Sequence, residues 1–479
     1  MKYHKLLYRL VICCCLLVQF SCRKFAEVES PYTSTTGANV YNNDATAISV
    51  LTGIYINLEN NQFQSGQALP ALSLYGGLSA DELSLMPGTA GAMLDFYTNQ
   101  QTNTTAANFW QTGYPVIYIL NSALEGVAAG QKLTPAVKQQ LTGEAKFMRA
   151  FYYFYLTNLY GDVPLVTGTD YKVNSLLARS PQTLVYDQIV KDLLEAQQQL
   201  SSDFVDGTLL QSSSDRLRPT SWAATALLAR VYLYRKDYNN AALQATKLIS
   251  NTAQFSLVND INGVFLSNSS EAIWQLQPVL VGFNTQDALN FVLPSGGPDP
   301  YSYPVFLSPQ QLASFEPGDK RAVAGNWVQN VTVGTDTYFY AFKYKSATLN
   351  DPLTEYEMVL RLGEQYLIRA EAEANGAVGG ITAAITDLNK IRQRAGLPAY
   401  NGTSTSGAVL TAIYHERQTE LFTEWGNRWL DLKRTNVADQ VMPQVTQLKG
   451  GSWKTASKLY PIAASDLLSN PNLVQNVGY

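Results

Sequence analysis

Residues 143–165 read GEAKFMRAFYYFYLTNLYGDVPL, with seven aromatic rings around one lysine and one arginine. Ala145, Met148, Phe151, Tyr152 and Tyr155 recur at helical spacing, and Phe147, Phe154 and Leu159 widen the apolar face to most of the circumference. Lys146 and Arg149 interrupt any membrane reading, Gly161 supplies a C-terminal stop, and Pro164 prevents continuation. A helix apolar on nearly every side, yet not membrane-spanning, is a buried packing helix. It demands several neighbours, and that demand narrows the fold more than any other stretch.

The neighbours are legible. Residues 186–200 have the periodicity of a partner helix, and 218–250 read as helix, tight turn at Lys236-Asp237, helix. Residues 361–398 repeat that plan with a glycine-rich turn. Ala223, Ala226 and Ala229 allow two helices to approach closely, with Tyr232 and Leu233 filling the seam. Residues 43–63 and 106–128 read as amphipathic helices; Trp110, Tyr114 and Tyr118 in the second read as core, and the glycine-rich stretch between the two helices reads as loop. Pairs at a scale of roughly 34 residues are the pattern of tetratricopeptide repeats. The expected fold is therefore mainly α: divergent tetratricopeptide-like helix pairs with a large irregular, short-strand insertion. The pairs form a single domain over 43–479, interrupted at about 64–105 and 251–355. Within the second insertion EAIWQLQ, NWVQNVTV and TYFYAFKYK alternate like short strands.

The first residues set an address. A basic start (Lys2, Lys5, Arg9) precedes an apolar stretch too short to span a bilayer, followed by Ser21-Cys22. This has the form of a lipoprotein signal over 1–21, with Cys22 the acylated first residue of the mature chain and 22–42 a lipidated tether. Cleavage would remove Cys13, Cys14, Cys15 and His4 and leave His415 as the one histidine. Cys–His nucleophiles, CxxC zinc sites and HExxH sites are then impossible. His415, beside Glu416 and Arg417, reads as a polar, hydrogen-bonded residue; Asp319 and Arg321 read as a local charge pair or turn. Charged residues make up 15% of the chain and the net charge is −4, so a polyanionic partner such as nucleic acid is not expected. No cofactor or metal motif is present.

Five blocks carry a family likeness: EAKFMRAFYYFYLTNLYGDVPL, RPTSWAATALLARVYLYRKDY, YLIRAEAEAN with LNKIRQRAGLP, ERQTELFTEWGNRWLDLKRT, and LYPIAASDLLSNPNLVQNVGY. In this order they resemble the SusD/RagB family. Gln418 and Trp425-Gly426 depart from the family's usual residues at packing positions. The resemblance implies a lipid-anchored protein of the outer membrane of Bacteroidota, facing the cell exterior. Such a protein binds an oligosaccharide or polysaccharide and delivers it to a SusC-like TonB-dependent transporter, without breaking bonds. A peptide-binding RagB-like variant is the alternative within the family. A two-carboxylate glycoside hydrolase and a protein-binding helical scaffold are alternatives outside it.

Sugars present apolar C–H faces and a rim of hydroxyls, so their sites need exposed rings beside polar side chains. The loop-borne candidates are Tyr75, Asp81, Glu82, Phe283, Asn284, Tyr301, Tyr303 and Trp327. Tyr301 and Tyr303 stand between prolines in a loop that cannot easily bury both rings. Trp327 falls in an expected strand, where core packing competes. Asp81-Glu82 offers either an acceptor pair for hydroxyls or a helix N-terminus. Arg428, Trp429, Asp431 and Lys433 read as residues that lock the terminal helix to its neighbours.

Overall fold

The computed structural model describes residues 40–59, 71–106 and 108–479. The signal segment, Cys22 and most of the tether lie outside the described residues. The helical frame comprises α1 (Asp44–Glu59), α2 (Ala71–Ser79), α3 (Asn108–Ala129), α4 (Pro135–Tyr160), α5 (Gln182–Gln199), α6 (Ser221–Tyr234) and α7 (Tyr238–Ser250). It continues through α8 (Leu362–Ala374), α9 (Gly380–Arg394), α10 (Ser406–Glu420), α11 (Asn427–Arg434) and α12 (Ala438–Leu448). Six short strands are described: β1 (Leu83–Leu85), β2 (Ala272–Leu276), β3 (Val305–Leu307), β4 (Val328–Val333), β5 (Asp336–Ala341) and β6 (Glu357–Arg361).

The aromatic helix of the sequence is α4. Pro135 opens it, Gly161 closes it at φ 78°, and rings from Phe147 to Tyr160 are buried on all its faces. Its charged residues point to partners: Arg149 makes a two-pronged ion pair with Asp192 of α5 at 2.7 and 2.8 Å and donates to Asn121 of α3, while Lys146 pairs with Glu195. From α3 through α10 each helix packs on the next. Ala223, Ala226 and Ala229 of α6 are fully buried, as close helix approach requires. The α6–α7 turn is held by Lys236 at φ 60° and by Asp237, whose carboxylate caps α7. Alanine-rich seams then join α6 and α7 to α8, and α8 to α9 and α10.

The insertions are tied to this frame by antiparallel pairs. β1 pairs with β3 (Leu83 opposite Leu307), β2 with β6 (Ala272 opposite Arg361), and β4 with β5 as a hairpin. Trp274 of β2 packs edge-on against Phe147 and Phe151 of α4 at 5.0 and 5.6 Å, and Trp425 meets Phe151 at 5.6 Å. Each such contact adds about 0.5–1.5 kcal/mol beyond area burial. Residues 460–479 return to the first helix pair. Tyr460 takes its place among Phe96, Phe109 and Tyr160, and Asn476 donates to the carbonyls of Tyr160 and Tyr460.

Two expectations need correction here. The glycine-rich stretch after residue 70 is not loop throughout: Ala71–Ser79 is helical. Its glycines serve packing, since a Cβ on Gly76 would lie 2.7 Å from the Gly426 Cα. Asp319 and Arg321 form more than a local pair. Arg321 is fully buried and bonds Asp319, Glu416 and Glu420 at 2.7–3.0 Å. Glu420 also takes Arg361 at 2.6 Å and Arg394, and Arg361 and Lys343 both reach Glu424. Burial alone would raise the Glu420 carboxyl, but Arg394, Arg361 and Arg321 override it and hold the group well below the usual carboxylate range.

Candidate ligand-binding site

Several expected site residues sit inside the frame and cannot face a ligand. Tyr75 is buried on α2 in a ring cluster with Phe96 (4.6 Å) and Phe109. Asp81 and Glu82 neither cap a helix nor meet solvent. Asp81 makes a two-pronged pair with Arg428 at 2.7 Å on each side, and Glu82 accepts from the Thr423 amide. Burial, then the neighbouring Asp81 carboxylate, push Glu82 up to about 8. Asn284 spends its side chain on a staple: its amide donates to Ser346 and the Pro352 carbonyl, while its oxygen accepts from the Thr354 and Glu355 amides. Trp327 is fully buried, donates to the Ile261 carbonyl at 2.8 Å, and lies 4.8 Å from the Lys343 ammonium. For Asp81 and Glu82 the partners come from a distant part of the chain.

Tyr301 and Tyr303 are placed differently. Tyr301 is 82% exposed and Tyr303 is 37% exposed. They share one turn, braced by Asp299: its carboxylate accepts from the Tyr301 and Ser302 amides at 2.8 and 2.7 Å, and its own amide donates to the Tyr303 carbonyl. These amides hold the Asp299 carboxyl below its ordinary value. The turn is fixed on both flanks. The Met86 amide donates to the Pro304 carbonyl at 2.7 Å, and Pro300 lies against Gly88. On the other side Gly297, at φ 78°, lies so close to Val333 that a Cβ there would sit 2.5 Å from the valine methyl. Phe306 follows on β3, half-buried, edge-on to Tyr338 of the β4–β5 hairpin at 5.1 Å. Phe283 is half-buried on a separate loop, anchored where the Asn350 amide donates to the Gly282 carbonyl. The turn that carries Tyr301 and Tyr303 thus leads into β3, where Phe306 meets Tyr338, two rings that sequence reasoning missed. The alternation of TYFYAFKYK signals the strand but not which of its rings stays uncovered.

This surface has the chemistry of a recognition face: rings held on a braced turn at low conformational-entropy cost, beside backbone and hydroxyl groups. Among the described residues no three His, Cys, Asp or Glu side chains are placed to hold a metal ion, and no helix is long and apolar enough to cross a membrane. His415 lies on the frame, its Nε2 2.7 Å from the Ser314 carbonyl.

A helical-repeat frame with ring-bearing insertions defines the class: a mainly α repeat protein with short-strand segments inserted between its helix pairs. Two family models match the chain, one described as "Starch-binding associating with outer membrane" over residues 25–233 and one as "SusD family" over 323–479. The chain belongs to the SusD/RagB family. SusD-like protein P2 of Formosa agariphila is 24% identical over 98% of this chain and 99% of its own. A SusD superfamily protein from Bacteroides vulgatus superposes with a TM-score of 0.77 at 23% identity, covering 91% of this chain and 99% of that one. Surface glycan-binding protein A from Bacteroides thetaiotaomicron, in complex with laminarihexaose, superposes with a TM-score of 0.75 at 20% identity, over 90% and 98% of the two chains.

Proposed function

We propose that this protein is a glycan-binding lipoprotein of the outer-membrane surface. It captures an oligosaccharide or polysaccharide without chemistry and hands it to a TonB-dependent transporter. The observation that carries this reading is the Tyr301 ring, mostly exposed at the tip of a turn that Asp299 and both flanks make rigid. An exposed ring held on an ordered turn can serve as a stacking platform for a sugar face. Family membership and the laminarihexaose complex of a protein with the same fold support the ligand class. The N-terminal sequence, with Cys22 after a short apolar stretch, supports lipid anchoring.

The test is isothermal titration of the protein against laminarihexaose and soluble plant and algal polysaccharides, with Tyr301→Ala and Tyr303→Ala alongside. At least one glycan is expected to bind, and to bind at least about ten-fold more weakly to Tyr301→Ala. Binding that neither variant disturbs would remove this surface from the reading. Sustained release of reducing sugar would overturn binding without chemistry.

A further inference from the structure

A second concavity lies on the frame itself. Its floor is Trp110 and Tyr114 of α3, with ring centroids 4.8 Å apart, together with Pro164 and Val166 of the segment after α4. Two further rings stand at its mouth: Tyr118, 51% exposed, and Tyr171, 72% exposed. The exposure of Tyr118 corrects the expectation that all three α3 rings are core. The cleft encloses about 330 Å³, at the small end of the ~300–1,000 Å³ usual for ligand pockets.

Polar groups from two segments line its edges. On one, Asn174 closes and Ser175 follows a short helical turn that Asp170 caps by accepting from the Lys172 amide at 2.9 Å; the Asn174 side-chain amide donates to the Gly168 carbonyl at 2.9 Å, leaving its side-chain oxygen unengaged among the described residues. On the other rim, Asp466 accepts from the Trp110 indole at 2.6 Å, and Ser469 and Asn470 extend the edge. Asn470 donates to the Leu177 carbonyl at 2.9 Å, which fastens the second rim to the first. Both rims are therefore set before any ligand arrives. An apolar side chain of a partner protein would need the rings but neither rim. A sugar ring needs both: an aromatic face under its C–H groups, and carboxylate, amide and hydroxyl groups at its equatorial edge.

We infer that the cleft between α3, the 164–175 segment and residues 466–473 is a second saccharide site, sized for a terminal residue or a short oligosaccharide. Tyr118 and Tyr171 are its stacking rings, and Asp466 and Asn174 its hydroxyl partners. It shares no residue with the Tyr301 surface. It rests on the proposed function only for the ligand class.

The test is titration of the full chain, reading intrinsic tryptophan fluorescence and heat together, with laminarihexaose, cellohexaose, xylohexaose, mannohexaose and the matching methyl monosaccharides. The variants are Tyr118→Ala, Tyr171→Ala, their double, and Tyr301→Ala. Tyr118 and Tyr171 are exposed, so these changes leave the fold intact, which an unchanged Tm verifies. The expected result is a fluorescence change with a saccharide that survives Tyr301→Ala and weakens at least about ten-fold in the Tyr118→Ala, Tyr171→Ala double. A panel that binds in a Tyr301-dependent way while the double changes nothing would overturn the cleft and keep the loop surface. A panel that binds nowhere would overturn both.

Discussion

At the scale of single residues, burial decides between structural and recognition roles. Glu420 stands at the centre of a buried cluster with Arg321, Arg361 and Arg394. Glu420→Gln keeps the shape and removes the charge, leaving buried guanidinium groups under-neutralised. The expected loss is about 3–5 kcal/mol in unfolding free energy, checked by the denaturant midpoint. A second buried group works in the opposite sense. Asp287 lies in the interior near Glu59 and Glu357, and burial pushes its carboxyl up to about 7 from 3.8. The folded protein keeps a proton that the unfolded chain gives up near pH 4. Its contribution is therefore complete below about pH 4 and is lost as pH rises through about 7. Asp287→Asn keeps an acceptor for Asn290 and never ionises. The Tm of this variant relative to the parent is expected to climb between about pH 5 and pH 8; a flat difference would mean that Asp287 titrates at its ordinary value.

At the scale of elements, one contact that admits no side chain is between α2 and the start of α11. Gly76 and Gly426 let two backbones touch, and the obstacle to a side chain is backbone rather than a flexible tip. Gly76→Ala is expected to cost about 1–3 kcal/mol, read as a lowered Tm. This contact also shows where reading the sequence stops. The period of α4, the alanine stripe of α6 and the turn at Lys236-Asp237 are local signals, and each became the expected element. Gly76 and Gly77 carry the same letters as a loop, and for Gly76 only a partner 350 positions away reveals a helix packed too closely for a side chain. Asp81 and Glu82 fail for the same reason: the Arg428 that claims Asp81 is 347 positions distant. The exposure of Tyr301 was legible because the prolines around it make burial of both neighbouring rings difficult.

At the scale of the whole molecule, a low formal charge and a neutral ligand make one expectation. Affinity for a glycan should change by no more than about two-fold between about 50 and 500 mM NaCl, because stacking and neutral hydrogen bonds are not screened. A steep salt dependence in the same titration would point to an anionic ligand. The frame and the insertions share one core through Trp274, Trp425 and Tyr460, so heating should give one cooperative transition that shifts upward with bound glycan. That shared core has a further consequence for biogenesis. Asn476 and Tyr160, which bond each other, are 316 positions apart. A chain emerging from the ribosome or an export channel would leave the rings of its first helix pair unsealed through most of synthesis. Its early half would thus be a client for holding chaperones, and splitting the protein into separately expressed halves should yield aggregates rather than modules.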